Sequence, residues 1–104
     1  MQYSSGWELF HIAVHNLAGQ GTQRERLLNA FVDNLIHIKP EIDLPEYLRE
    51  KFTELATSLN NKSASGSEGT AQATISTLNE SEIRQAVHSI IDIYDSLCRE
   101  MPKE

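Results

Sequence analysis

Apolar and polar positions divide the chain into helical stretches separated by glycine, proline and a serine-rich break. The most regular stretch runs from Asn79 to Met101. Ile83, Ala86, Val87, Ile90, Ile91, Ile93, Tyr94, Leu97, Cys98 and Met101 fall on one broad stripe at about 100° per residue. Arg84, His88, Asp92, Asp95 and Arg99 take the opposite face. Asn79, with Glu82 three positions on, carries a capping-box signature. A stripe this broad predicts the helix that covers the others.

The same pattern predicts three further substantial helices. Ser4 or Ser5 caps a first helix reaching about Ala18, with Trp7, Phe10, Val14 and Leu17 as its seam and Leu9, Ile12 and Ala13 widening it. Gly19-Gln20-Gly21 stops it, and Thr22 with Glu25 forms a second capping box. Helix two then spans about Gln23 to His37, with Leu27, Leu28, Ala30, Phe31, Val32, Leu35 and Ile38 inward. A loop this short favours an antiparallel hairpin. Pro40 breaks the pattern and restricts Lys39 to extended geometry, while Ile38, Ile42 and Leu44 should hold the connector against the core. Pro45 suits the first turn of a third helix reaching about Leu59, with a narrow stripe of Leu48, Phe52, Leu55 and Leu59.

Residues 60–69 contain no large apolar side chain and read as a mobile loop. Thr70 to Leu78 reads as a short helix over about 71–78, capped by Thr70. Thr74, Ile75 and Thr77 would also tolerate a strand, but no second strand exists to pair with it. The expected fold is all-α: a single domain over 1–104, built as a small four-helix bundle with an additional short helix before the long C-terminal one.

Composition narrows the function classes. The chain has 104 residues, enough for one modest core, with 39% hydrophobic and 23% charged residues, ordinary globular values. A formal charge of -6, with 9 basic residues among 15 acidic ones, argues against nucleic acid and anionic lipid as partners. No apolar run approaches the roughly 18 residues of a membrane span. The lone cysteine, Cys98, allows no internal disulfide. With a start lacking a secretory signal pattern, the expected location is the cytoplasm.

Candidate chemistry is sparse. Glu8, His11 and His15 stand three and four apart on the polar face of helix one, a spacing that could present three metal ligands. The order does not match His-Glu-x-x-His, and only one Glu-x-x-His is present, where carboxylate di-iron bundles use two. Asp33 with His37, and His88 with Asp92, have the spacing of an orienter and a base, but no nucleophile accompanies either. Cys98 reads as a quiet thiol at the edge of an apolar stripe. Gly19-x-Gly21 reads as a turn, and Arg24, Arg26 and Lys39 as isolated charges. The broad apolar arc on helix one makes Tyr3, Trp7, Phe10 and Ile12 the candidate interface.

Arg26-Leu27, Ala30-Phe31, Asp43-Leu44-Pro45-Glu46-x-Leu48-Arg49, Gly69-Thr70…Ala73-Thr74 and Ile90…Ile93-Tyr94-Asp95 together resemble a recurring small bacterial helical family of unknown function, over roughly residues 9 to 97. The resemblance implies a bacterial cytoplasmic domain and carries no activity. The functional expectation is a non-enzymatic interaction module without cofactor, self-associating or binding another protein through an apolar helix face. The alternatives are a metal- or small-ligand-binding protein using Glu8, His11 and His15, and behind it a hydrolase built on His88 and Asp92.

Overall fold

Two reciprocal caps start two of the helices where the sequence places them. Thr22 Oγ1 accepts the Glu25 N–H at 3.1 Å while the Glu25 carboxylate accepts the Thr22 N–H at 2.9 Å. Asn79 and Glu82 repeat the exchange at 2.8 and 2.9 Å. Each box satisfies donors that a helix start otherwise leaves orphaned. The computed structural model describes residues 2–62 and 69–102. Among these the regular structure is entirely helical: α1 (Ser4–Leu17), α2 (Gln23–Asp33), a 3-10 turn (Leu35–His37), α3 (Pro40–Asp43), α4 (Glu46–Leu59), α5 (Thr70–Ile75) and α6 (Glu80–Glu100).

The core draws on every one of these elements except α3, and Leu44 joins it from just beyond that helix. Phe10, Leu27, Phe31, Leu35, Leu44, Leu59, Ile75, Ile90, Ile93 and Leu97 are fully buried. Removing each such side chain from water is worth about 1.5–3 kcal/mol. The α6 stripe of Ile83, Ala86, Ile90, Ile93 and Leu97 lies across α1, α2 and α4. Phe10 of α1 meets Phe52 of α4 edge to face at 5.9 Å.

Local expectations fail where tertiary contacts intervene. At the start of α1 the cap position belongs to Tyr3, whose φ of 64° is left-handed, and Ser4 and Ser5 lie inside the helix. Tyr3 packs on the core, which holds a conformation that L-residues rarely adopt. Helix two ends at Asp33, not His37: Asn34 leaves α geometry, and the 3-10 turn buries Leu35 while exposing Ile36 and His37. Val32, expected inward, is exposed.

The connector after Ile38 is itself helical. Pro40 opens α3 at a position where its missing N–H costs nothing, and Asp43 Oδ2 accepts the Lys39 N–H at 2.8 Å. Ile38 and Leu44 are buried as expected, whereas Ile42 points to solvent. From α4, the Arg49 guanidinium closes the connector, donating to the carbonyls of Pro40 (3.0 Å), Leu44 (3.0 Å) and Glu41 (3.3 Å). Pro45 stands in the cap position of α4, one residue before the helix.

Most of the expected mobile loop at 60–69 lies outside the described residues, and its flanks are tied to α5. Buried Thr74 Oγ1 accepts the N–H groups of Asn61 (2.9 Å) and Lys62 (2.8 Å) and donates to the Thr70 carbonyl (2.9 Å). Gly69, not Thr70, holds the cap position, and α5 stops at Ile75. The two arginines read as isolated charges cap other helices. Arg24 donates to the Ile75 carbonyl at the end of α5, and Arg26 to the Leu17 carbonyl at the end of α1 (2.9 Å).

Candidate functional site

The side chains with the most chemistry meet on the seam between α1 and α6. These helices run antiparallel, so the pair Trp7 and His11, one turn apart, faces the pair Cys98 and Tyr94, also one turn apart. The Trp7 indole N–H donates to Cys98 Sγ at 3.3 Å. His11 Nδ1 shares a hydrogen bond with the Tyr94 hydroxyl at 2.8 Å. The His11 ring stacks on Trp7 with centroids 4.7 Å apart and planes 16° from parallel, and His15 meets its other side edge-on at 4.5 Å. Trp7, His11 and Tyr94 are half-buried; Cys98 and His15 are exposed.

Burial first, and then the neighbouring Cys98 side chain, push the Tyr94 phenol above its ordinary pKa of 10.0. Tyr94 therefore remains a protonated donor throughout the neutral range. A comparable effect acts at Tyr47 on α4, where burial first and then a 2.8 Å hydrogen bond to Glu100 raise the phenol.

Glu8, His11 and His15 do not form the expected metal centre. Among the described residues no group of three His, Cys, Asp or Glu side chains is placed to hold an ion. His11 is turned into the seam, where Nδ1 is engaged by Tyr94. The four proposed interface residues also separate. Phe10 is completely buried, and Ile12 lies two residues on, about 200° around the helix, 42% exposed. Tyr3 and Trp7 are half-buried against the core between these extremes.

Neither candidate dyad assembles. With α2 ending at Asp33, His37 sits beyond the break in the 3-10 turn and loses the helical spacing. On α6, Asp92 lies 3.6 Å from Lys51 of α4, and Asp95 pairs with Arg99, so the outer carboxylates serve surface charge pairs.

A hollow of about 720 Å³ lies open between α4, α5 and α6, with Lys51, Ser58, Thr77, Glu82, Gln85 and Ser89 among its lining. Its chemistry is largely occupied. Ser58 donates to the Leu55 carbonyl (2.7 Å), Thr77 to the Thr74 carbonyl (2.7 Å), and Glu82 is committed to its capping box. A smaller, mainly apolar hollow of about 270 Å³ lies where the 3-10 turn meets α4, lined by Phe31, Leu35, Ile36, Phe52 and Ala56.

The Trp7–His11–Tyr94–Cys98 cluster was legible only as two separate i, i+4 pairs. Joining them requires the antiparallel register of α1 and α6, which no local pattern states. No helix among the described residues is long and apolar enough to cross a membrane. No family model, curated protein or solved structure matches the chain.

Proposed function

We propose that the chain is a non-catalytic helical interaction module that binds a second copy of itself or another protein through the outer side of the α1–α6 seam. The four longer helices, α1, α2, α4 and α6, serve as its bundle frame, with α3 and α5 as helical turns between them. One observation carries this reading. Trp7 and Tyr94 remain half-exposed on the seam, and Ile91, on the same flank of α6 as Tyr94 and Cys98, is 43% exposed. Large aromatic side chains with an apolar neighbour are the residue types that anchor protein contacts. The rival reading, a metal or small ligand held by Glu8, His11 and His15, has less support, because that trio does not converge.

Sedimentation of the full chain, with Ile91→Asp as the comparison, tests the proposal. A concentration-dependent dimer that Ile91→Asp dissociates supports self-association. A monomer whose captured partner protein is lost by Ile91→Asp supports the heterologous form. A monomer from which both versions recover the same proteins overturns the seam as a binding face.

A further inference from the structure

A phenol cannot lose an electron and keep its proton, because the oxidised ring is a far stronger acid than the phenol it came from. Oxidation of a tyrosine proceeds readily only where a base already accepts its hydroxyl hydrogen. Tyr94 has such a partner, since His11 Nδ1 lies 2.8 Å from its oxygen. With the ring hydrogen of His11 on Nε2, Nδ1 presents the lone pair that takes the phenol proton.

The electron has a route as well. Trp7, the chain's one tryptophan, is half-buried on the seam with an edge in solvent. Its ring lies 6.3 Å from that of Tyr94, tilted by 32°. His11 closes the triangle, stacked on Trp7 at 4.7 Å and 5.9 Å from Tyr94. Electron tunnelling weakens exponentially with separation, which favours the tyrosine in ring contact with the indole. Among the described residues that tyrosine is Tyr94; the Tyr47 hydroxyl is bound to Glu100 instead. The Trp7 N–H faces the Cys98 sulfur, a weak acceptor that does not take its proton.

We propose that Tyr94 is a redox-active tyrosine, oxidised through Trp7 by a small one-electron oxidant from solution, with His11 as the base that receives its proton. Trp7 gives one electron to the oxidant, which is thereby reduced. Tyr94 returns one electron to the indole. As it does so the Tyr94 O–H bond breaks and an Nδ1–H bond forms on His11. The chain is left with a neutral tyrosyl radical hydrogen-bonded to an imidazolium. A soluble one-electron reductant reverses the step, and Nδ1 gives the proton back. The relay lies within one chain and needs no partner, so it stands apart from the interaction reading.

Pulse radiolysis of the full chain with the azide radical, a small one-electron oxidant that prefers indole to phenol, tests the proposal. The indolyl absorption should appear first and give way to tyrosyl absorption. The rate constant should not depend on protein concentration, because the transfer is internal. Tyr94→Phe should leave the radical on Trp7, while Tyr3→Phe and Tyr47→Phe should transfer as wild type does. His11→Gln keeps an acceptor for the phenol hydrogen but no base. It should slow the transfer about 10²-fold, the lower end of what a positioned base contributes. Heavy water should slow the wild-type transfer too, because the O–H bond breaks with the electron's departure; a packing defect would not produce that.

Far-UV circular dichroism accompanies each variant, and the wild-type results stand without them. A wild-type radical that stays on Trp7 overturns the proposal. Transfer that persists in Tyr94→Phe overturns it by assigning the hole to another tyrosine. An unchanged rate in a folded His11→Gln, or in heavy water, overturns the role given to His11.

Discussion

The carbonyl oxygen of Asp43 occupies the space that a Cβ on Gly6 would need. Gly6 is buried on α1, so the missing side chain is what lets α3 close onto that helix. In an exposed helix interior Gly→Ala gains about 1 kcal/mol of helix propensity. Here the added methyl meets backbone, which cannot rotate away. Gly6→Ala should destabilise by about 1–3 kcal/mol, the usual cost of overpacking. Urea denaturation decides it: a stabilised variant would mean that α3 moves aside freely.

Thr74 is the joint between α5 and the end of α4. Replacing it with Val keeps the volume but leaves the N–H groups of Asn61 and Lys62 without their acceptor. The expected loss is about 1–3 kcal/mol, while Thr74→Ser, which retains the hydroxyl, should lose less than Val. Amide exchange at Asn61 and Lys62 reads the joint directly and should accelerate in Thr74→Val alone.

Arg49 gathers three connector carbonyls in one planar fork. Arg49→Ala should cost about 1.5–3 kcal/mol, the scale of hydrogen bonds to a charged group. Arg49→Lys should recover little, because an ammonium cannot match the fork. Equal thermal stability of the Lys variant and wild type would refute the geometric account.

Asn34 Nδ2 is buried without a hydrogen-bond partner among the described residues. Leu is close to Asn in shape and carries no donor to desolvate. Asn34→Leu should therefore match or exceed wild type in denaturant midpoint, with a gain of up to about 1–3 kcal/mol. A clear loss of stability would show that the amide has a partner in solution.

Glu25 accepts the Thr22 N–H, and its pKa lies below the ordinary 4.5 because of that backbone hydrogen bond first and the Thr22 hydroxyl second. A carboxyl depressed by folding contributes stability above its unfolded pKa and loses it as pH falls through the folded value. Glu25→Gln should thus be less stable than wild type at neutral pH. The gap should close as pH is taken below 4.5. Denaturation series at both ends of that range measure the convergence, and a gap independent of pH would remove the carboxylate from the account.

What the sequence determined by itself was local. Both capping boxes, the apolar stripe of α6, the narrow stripe of α4 and the all-helical class follow from spacing and from hydrogen bonds closed within four residues. Such features need no knowledge of what lies across the core. Tertiary structure decided the rest. Pro40 reads as a breaker until Arg49, arriving from α4, closes α3 behind it. Arg24 and Arg26 read as loose charges until the ends of α5 and α1 come within reach. His11 read as part of a polar face with Glu8 and His15, yet it lies only about 40° around the helix from Trp7. The register of α6 turned that small offset into a bond with Tyr94. A side chain at the border of a stripe is assigned by whichever neighbour offers a partner, and that neighbour stands 83 residues away in the chain.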